Sequence, residues 1–417
     1  MRIAQVLVPV AVVALVVACL SAPTAAETPA PEEAKKLSVA NNEFGFDLLK
    51  HLHKDGDNTF LSPTSIGMAL QMTSRGARGD TLKQMNETMH VGDLEVGDAN
   101  RKLLDALSGR DDVKLNVANA IWADPAKLNL NKEFAAEVSR QFDAEIDAIS
   151  FSDPKTKDVI NDWISDKTEK KIPEMLKELD PAVVALLANA IYFKGDWTYK
   201  FDKEKTTKAD FTRADGSTQP VQMMKSDRLK LRYTETDDVQ IVALPYGPAA
   251  EEGEPGSQPK VSMWLVVPKE GKSLNDVVGT LNSETFQGWQ KKASPIKGTV
   301  ELPRFKMKYR KELQNDLPKL GMVDAFDGNK ADFTGFETSP AKPGRLFISK
   351  VIHEAIIEVN EEGTVAAAAT VVEMERTSAQ PRTFKVRCDR PFMLAIADDH
   401  TGSIMFVGTV YQPEDLE

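Results

Sequence analysis

The chain has 417 residues, of which 41% are hydrophobic and 28% are charged, and its formal net charge is −11. A chain of this length can bury a large core. The acidic balance argues against nucleic acid or an anionic membrane surface as the main partner, because both require a basic surface.

Residues 1–26 have the features of an export signal. Arg2 precedes an apolar stretch, 3–18, that is shorter than the roughly 20 residues a membrane-spanning helix needs. Two processing routes fit equally well: lipidation of Cys19 in the bacterial lipobox-like sequence VVAC, or cleavage after Ala26. Both predict an exported protein, extracellular or periplasmic, whose only membrane attachment would be the lipid anchor. Residues 27–36 are rich in Ala, Pro and Glu and predict a flexible tether.

Cysteine usage excludes an internal disulfide. Cys19 and Cys388 are the only cysteines, and export processing would remove or lipidate the first. Cys388 lies in the strand-like sequence FKVRCDRPF, where we expect a small buried residue. Stability outside the cell would therefore depend on the core.

Helical and strand patterns divide the chain unevenly. Apolar residues at helical spacing predict the helices 40–53, 65–72, 81–89, 98–107, 132–142, 158–170 and a short one within 173–179. Apolar runs predict the strands 115–122, 183–193, 229–234, 239–244, 261–267, 298–303, 351–360, 384–387, 392–397 and 404–410. The acidic segment 247–259 predicts a hairpin loop. Helices first and strands later, without regular βαβ alternation, predict an α+β fold with a large, mostly antiparallel sheet.

The most informative segment is 361–370, with the sequence EEGTVAAAAT. A glycine and a threonine lead into a run of Val and Ala that contains no proline, charge or bulky side chain. The segment lies between a predicted strand, 351–360, and a predicted exposed loop, 373–383, where polar turn-forming residues are normal. Its composition favours a strand instead, and this mismatch is the basis of the functional hypothesis.

Four stretches resemble the signature motifs of the serpins, a family of serine protease inhibitors. They are NTFLSPTSIGMALQMTSRGARGDT at 58–81, LLANAIYFKGDW at 186–197, EVNEEGTVAAAAT at 358–370 and RPFMLAIADDHTGSIMFVGTVYQP at 390–413. The resemblance implies a single serpin domain over 37–417. Its helical N-terminal half would pack on a large sheet accompanied by smaller sheets, and an exposed reactive-centre loop would span about 361–383.

The resemblance also implies an inhibitory mechanism. A serine protease, and as a further target class a cysteine protease, would attack the loop and form an acyl-enzyme. The cut loop would then insert into the main sheet as a new strand. About a dozen new backbone hydrogen bonds, each worth about 0.5–1.5 kcal/mol net, would favour insertion, so the uncut form would be kinetically trapped. The chain would then be a monomeric suicide inhibitor rather than an enzyme, without a cofactor, and its partner would be held as a covalent acyl complex.

The hinge of this loop has the period-two pattern that an inserted strand requires. The hinge residues are Glu361, Glu362, Gly363, Thr364, Val365, Ala366, Ala367, Ala368, Ala369 and Thr370. Even positions from 364 to 374 carry no charge, whereas Glu373 and Glu375 fall on the opposite face. One face therefore suits a buried interior and the other suits solvent. Arg376 is the first large charge on the inward face, where the strand should end.

Two peptide bonds qualify as the bond that the protease cleaves. Serpin spacing from Gly363 implies Thr377–Ser378 and an elastase-like or broad-specificity target. The alternative is Arg376–Thr377, because arginine fits the acidic specificity pocket of a trypsin-like protease. Both bonds stay open at this point.

Two further groups of residues match serpin elements that control the main sheet. The shutter cluster, a polar group beneath the point where the central strands part, consists of Ser62, Ser65, Asn189 and His353. The breach cluster, at the top of the sheet where insertion begins, consists of Trp197, Arg304 and Glu361. An Arg304–Glu361 ion pair is expected to pin the hinge. These roles are structural gating and not catalysis.

Other functions fit the sequence less well. None of the five histidines lies in an HExxH zinc motif or beside a nucleophile elbow, and no phosphate-binding glycine loop occurs. The alternative to inhibition is a non-inhibitory serpin-like carrier, binding protein or folding assistant, but such members typically carry charged, bulky or proline residues in the hinge. The region that binds glycosaminoglycans in some serpins corresponds to 81–98, which is acidic here, so we expect no heparin dependence.

Overall fold

The computed structural model describes residues 29–108, 113–249, 260–338, 346–364 and 382–416. Within these ranges the α-helices are α1 Glu32–Leu52, α2 Pro63–Ser74, α3 Gly79–Thr88, α4 Val96–Leu107, α5 Lys132–Phe142, α6 Thr156–Lys167, α7 Leu274–Gly279 and α8 Ser283–Lys292. The strands are β1 Thr59–Leu61, β2 Lys114–Ala123, β3 Ala144–Ala148, β4 Ala185–Asp196, β5 Thr207–Thr212, β6 Thr218–Lys225, β7 Leu229–Glu235, β8 Val239–Pro245, β9 Val261–Pro268, β10 Ser294–Pro303, β11 Phe305–Glu312, β12 Ile352–Val359, β13 Gly363–Thr364, β14 Thr383–Arg387, β15 Phe392–Asp398 and β16 Ile404–Val410.

The strands form three hydrogen-bonded sheets. The largest has the order β1-β16-β15-β9-β8-β7-β10-β6-β5, with β14 paired in parallel to β10. The second has the order β13-β4-β2-β3, and the third contains β11 and β12. Most pairings are antiparallel, so the predicted α+β fold with a mostly antiparallel large sheet is confirmed.

Three apolar clusters hold the sheets and helices together. The first packs α1, α2, α4 and α5 on the sheets, with Phe44 and Leu103 fully buried. The second lies between the largest sheet and the inward faces of β4 and β12, where Phe193, Ala355 and Val359 point. The third lies under α6, on the opposite faces of β2 and β4. Both faces of β4 are therefore covered by other parts of the protein.

Two sequence predictions are wrong in their local structure. The predicted flexible tether overlaps α1, which begins at Glu32, because its first turn carries Glu32 and Glu33, which suit a helix N-terminus, and buries Ala34. The predicted helix within 173–179 is absent from this described stretch. There the Asn161 side chain accepts hydrogen bonds from the backbone N–H groups of Met175 and Leu176, so these groups need no helix.

Other elements were missed or only partly tested. The missed elements are short or strongly polar, and they are β1, β3, β5, β6, β11, α7 and α8. The hairpin predicted around the acidic loop is confirmed by the antiparallel pairing of β8 and β9, although residues 250–259 lie outside the described part. Cys388 is buried as expected.

The signal segment 1–26, including Cys19, also lies outside the described residues. Within the described ranges, none of the helices is both long and apolar enough to cross a membrane.

Candidate functional site

A tight turn reverses the chain after β12. The backbone N–H of Gly363 donates to Asn360 O over 3.3 Å, and the N–H of Asn360 donates to Gly363 O over 3.1 Å. The Asn360 side chain also accepts from the N–H groups of Glu362 and Gly363. As a result, β13 leaves the turn running back beside β12 and pairs antiparallel with β4.

Gly363 is required at the start of β13. Its φ is +142°, and an added Cβ would lie 2.4 Å from Gly195 O and 2.6 Å from the Cα of Asp196. A side chain would therefore collide with the backbone of β4, and the two strands could not approach. This hinge glycine is therefore a point of close contact between the hinge and the sheet.

Thr364 is seated in the interior next to an aromatic stack. Its side chain is 4% exposed, and its Oγ1 lies 3.1 Å from the hydroxyl of the fully buried Tyr246. The Tyr246 ring stacks on Trp197 at a centroid distance of 4.4 Å. Burial raises the pKa of Tyr246, so its hydroxyl keeps the proton that a hydrogen bond to Thr364 can use. The Thr364 side chain of the hinge thus already occupies an inward position.

The turn acid Glu361 is buried and held by a hydroxyl. Thr206 Oγ1 donates to Glu361 Oε1 over 2.7 Å, and the Phe201 N–H donates to Glu361 O. The expected ion pair is long, since Arg304 Nη1 lies 3.9 Å from Glu361 Oε1. The Arg304 guanidinium instead donates to Asp415 Oδ1 over 3.0 Å. Arg304 therefore links the hinge to the C-terminal residues rather than pinning Glu361 alone.

The second turn acid, Glu362, is held by two lysines. Lys203 Nζ lies 2.8 Å from Glu362 Oε1, and Lys200 Nζ lies 3.2 Å from Oε2. The hydrogen bond from Lys203 lowers the pKa of Glu362. Trp197 adds two further bonds, from its indole Nε1 to Asn360 O and from its N–H to Glu362 O, both at 2.9 Å. The segment after β4 therefore holds Asn360, Glu361 and Glu362 of the turn.

Below β13, the two central strands lie side by side without a hydrogen-bonded ladder between them. In the described residues, β4 pairs with β2 on one edge and with only the two residues of β13 on the other. β12 pairs with β11. A cavity of about 20 Å³ lies at the gap, lined by Ile191 and Tyr192 of β4 and by Ile356 and Glu358 of β12. The backbone edges of β4 and β12 therefore face each other across a seam.

Three of the four shutter residues come together under this seam. Ser62 caps α2 by accepting from the Ser65 N–H over 3.2 Å. The Ser65 hydroxyl donates to Asn189 Oδ1, and Asn189 Nδ2 donates to Asn119 Oδ1 over 2.6 Å. Asn119 in turn donates to Phe142 O. Asn119 was not predicted as a site residue, although an asparagine inside the otherwise apolar run of β2 could have indicated one.

His353, the fourth shutter residue, has an unused ring nitrogen. The ring is 4% exposed and hydrogen-bonded to the backbone of Phe60, whereas its Nε2 has no hydrogen-bond partner among the described residues. Burial lowers the pKa of His353 to about 4. A buried polar atom without a partner is costly, so the site is set up to accept one.

The comparisons with known proteins agree with this architecture. Residues 39–413 match the family model for serpins, serine protease inhibitors. The chain belongs to the serpin family. It is 32% identical over 393 residues to a leukocyte elastase inhibitor of Xenopus laevis, covering 91% of this chain and all of that protein. It is 35% identical over 391 residues to human serpin B8, covering 90% of this chain and 99% of that protein.

Solved serpin structures share the fold. Native tengpin, a thermophilic serpin, is 30% identical with a TM-score of 0.80, covering 90% of this chain and 94% of its own. Human thyroxine-binding globulin is 26% identical with a TM-score of 0.79, covering 92% of this chain and all of its own. The family thus includes protease inhibitors and a hormone-binding protein, and target proteases are the partners that the inhibitor relatives imply.

Several predicted site residues of this serpin lie outside the described part of the chain. They are Val365 to Thr370 of the hinge and the candidate bonds Arg376–Thr377 and Thr377–Ser378. The sequence also missed residues that are distant in sequence and have no local pattern. Lys200, Lys203 and Thr206 hold the turn acids, Tyr246 contacts Thr364, and Asp415 pairs with Arg304.

Proposed function

We propose that this serpin is a suicide inhibitor of serine proteases, in which the cleaved loop inserts between β4 and β12 while the protease is bound as an acyl-enzyme. The observation that carries the proposal is the hairpin at 360–363. It directs the hinge into the seam, where Gly363 and Thr364 already pair with β4. Extending that pairing requires no change in register.

Continued along β4, the register of β13 would give every later hinge residue a partner. Gly363 lies opposite Asp196, and Thr364 opposite Gly195. The same antiparallel register, continued to the start of β4 at Ala185, places residue 374 opposite Ala185. The strand would therefore end at Met374, immediately before the charged Glu375 and Arg376, which agrees with the hydrophobic pattern of the sequence.

The two faces of such a strand match their surroundings. Even positions share the inward face of Thr364, next to Phe193 and Ile191 in the second core cluster. The charge pattern predicts that the other face meets solvent, but α6 covers that side of β4 over Ala188 and Ala190. The residues at 365, 367, 369 and 371 are valines and alanines, which suit this cover. The charged Glu373 comes only near the end of the strand.

The inserted strand would bring the polar residue Thr370 to a polar point of the seam. If the β4 register continued, Thr370 would lie opposite Asn189, and if the hairpin register continued along β12, it would lie opposite His353. Asn189 belongs to the Ser65–Asn119 network, and His353 has the unused Nε2. A threonine hydroxyl between them would give the histidine its missing partner. The two registers, along β4 and along β12, thus agree on the position that Thr370 would take. Thr370 is the only polar residue in the sequence from 365 to 372.

The loop itself supports a target class. Thr377–Ser378 as the bait bond favours an elastase-like protease, and the relatives include leukocyte elastase inhibitors. Arg376–Thr377 favours a trypsin-like one. Cysteine proteases form acyl-enzymes as well and are a secondary target class. Mass spectrometry of the released C-terminal peptide distinguishes the two bonds.

The test is a covalent complex. The protein is mixed with elastase, trypsin and subtilisin in turn, and each mixture is run on a denaturing gel. The proposal predicts a band near the summed mass of inhibitor and protease for at least one of them. Cleavage of the loop without such a band would support the alternative, a non-inhibitory binding or carrier protein, for which thyroxine-binding globulin is a structural precedent.

We further propose export for this serpin, on the sequence of residues 1–26 alone. The mass of the mature N-terminus distinguishes the two routes, because lipidation at Cys19 and cleavage after Ala26 leave different first residues. Retention of Met1 in the mature protein would refute both.

A further inference from the structure

A short segment after α6 lies across the seam between β4 and β12. The seam strap, as we name residues 168–172, begins at Thr168, where α6 ends. Thr168 and Ile172 are buried, and both line the small cavity at the seam together with Tyr192 of β4 and Ile356 of β12. The strap is therefore in contact with both sides of the seam.

Two residues in the middle of the strap have an unfavourable backbone conformation. Glu169 has a φ of +51° and Lys170 a φ of +65°, so two successive residues other than glycine occupy the left-handed region. Such a conformation costs free energy and persists only where the surrounding structure holds it. The side chains of Glu169 and Lys171 show what holds the strap, because they are attached to different sides of the seam.

The first attachment joins the strap to β2 and β4. The Glu169 carboxylate pairs with Lys114 Nζ of β2 and accepts a hydrogen bond from the Tyr192 hydroxyl of β4. The helix that precedes the strap, α6, packs over Ala188 and Ala190 of β4 in the third apolar cluster. On this side the strap is thus held by charge and by packing.

The second attachment crosses the seam to β12. Lys171 Nζ lies 2.7 Å from Glu358 Oε2, and the Glu358 side chain is 19% exposed. Glu358 also has a partner on its own side of the seam, because Lys306 Nζ of the adjacent strand β11 lies 3.4 Å from Glu358 Oε1. Glu358 would therefore keep a cation if Lys171 moved away.

The Lys171–Glu358 pair lies where the hinge would insert next. If the hairpin register continued along β12, Val365 would lie opposite Glu358, and residues opposite each other share one face of a sheet. A new strand between β4 and β12 would move them apart by about 4.8 Å, the spacing of neighbouring strands. With the strap fixed on β4, Lys171 Nζ would then lie about 7.5 Å from Glu358, too far for an ion pair. The pair must therefore open before Val365 can enter.

We propose that the Lys171–Glu358 ion pair is a latch that sets the rate at which the seam admits the hinge strand, and that the strap stays with β4 when the latch opens. The inference rests on the proposed inhibitory function and adds the residues that control its insertion step. Release occurs on the β12 side because Lys306 keeps Glu358 paired. Release from β4 would instead break both contacts of Glu169 and the packing of α6.

The test measures opening of the seam without a protease. The probe is a fluorescently labelled peptide with the sequence of residues 365–374, VAAAATVVEM, which is added to the intact protein. Its uptake is followed by the fraction of label that elutes with the protein in size-exclusion chromatography. Lys171→Gln removes the latch and should speed uptake about fivefold at low salt, the upper range for a partly exposed ion pair. Lys171→Arg keeps the pair and should match the parent.

Lys306→Gln is the matched control, because it removes the other cation of Glu358 and leaves the contact across the seam in place. It should not speed uptake. Glu358→Gln should speed uptake like Lys171→Gln, and the double variant should be no faster than either single variant, since all three remove the same pair. Near 1 M salt the parent should approach the rate of Lys171→Gln, because charges are screened beyond about 3 Å.

Equal uptake rates for Lys171→Gln and the parent would overturn the proposal. So would an equal acceleration by Lys306→Gln, which would indicate a general loosening of the sheet, or an absence of uptake in every variant. Failure of the proposed function has a different signature: proteases would form no covalent complex with any variant, while Lys171→Gln would still take up the peptide faster than the parent. Unchanged melting temperatures of the intact variants confirm that they are folded.

Discussion

Replacing Thr364 by arginine tests the first step of insertion. In the structure this side chain is 4% exposed and lies 3.1 Å from the hydroxyl of the buried Tyr246. An arginine there would bring a charge into an apolar cluster that includes Phe193 and Trp197. The groups next to Thr364 are the Tyr246 hydroxyl and the Trp197 ring stacked on Tyr246, and neither carries a negative charge that could pair with the arginine.

The expected effect is large. Burying an unpaired charge costs several kcal/mol. Even a cost of about 3 kcal/mol in the transition state would slow loop insertion roughly 100-fold, since each 1.4 kcal/mol changes a rate by a factor of ten. The acyl-enzyme then has time to hydrolyse, and the inhibitor becomes a substrate that is cut at the same bond.

The assay is the stoichiometry of inhibition, the number of inhibitor molecules consumed per protease trapped. We expect Thr364→Arg to raise it at least tenfold by the partition argument above, with an unchanged cleavage site by mass spectrometry. Thr364→Ser, which keeps a small side chain and the hydroxyl, is the matched control and should trap protease like the parent. If Thr364→Arg traps protease at the parent's stoichiometry, insertion through the hinge is not the mechanism.

Three further predictions concern the turn and the seam. Glu361→Ala removes the buried acceptor of Thr206 and should destabilise the intact protein by about 1–3 kcal/mol in urea unfolding. Asp415→Ala removes the more exposed partner of Arg304 and should cost less than about 1 kcal/mol. Equal losses would contradict the conclusion that Glu361 is the buried anchor of the turn. His353 is held neutral by burial with a pKa of about 4, against 6.5 when unfolded. The unfolded state therefore binds the proton first, and stability should fall by up to about 3 kcal/mol as pH drops from 6.5 to 4. This loss should be absent in His353→Gln. Thr370→Val should lower the stability of the loop-cleaved form by about 1 kcal/mol without changing that of the intact form, and Thr370→Ser should change neither; an effect of Thr370→Val on the intact protein would refute the assigned register.

Strong local patterns made much of the fold predictable. The helix at 132–142 has the same limits in sequence and structure, because Asn131 caps it and its apolar residues recur at helical spacing. The strand at 404–410 is likewise recovered in full, since it is a continuous apolar run. By contrast, β5 and β6 are short and largely polar and have no comparable signal. β11 was also missed, although its first residues alternate apolar and basic side chains, a pattern from which a strand can be predicted.

The site was predictable only where its chemistry is local. The hinge glycine, the shutter serines and the breach tryptophan lie in recognisable stretches of sequence. The partners of the site residues do not, because separate elements bring Tyr246 to Thr364, Thr206 to Glu361 and Asp415 to Arg304 through tertiary packing. The weak Arg304–Glu361 contact has the same cause, since the competing carboxylate comes from the C-terminal residues. Pairwise contacts of this kind become visible only in three dimensions.

The most direct test of the account is a crystal structure of the protein after its loop has been cut. We predict a new strand from Val365 to Met374 between β4 and β12, with Thr370 placed between Asn189 and His353. The clipped protein should also melt well above the intact one. A structure in which β4 and β12 remain adjacent below Thr364, with the cut segment in solvent, would contradict the central claim.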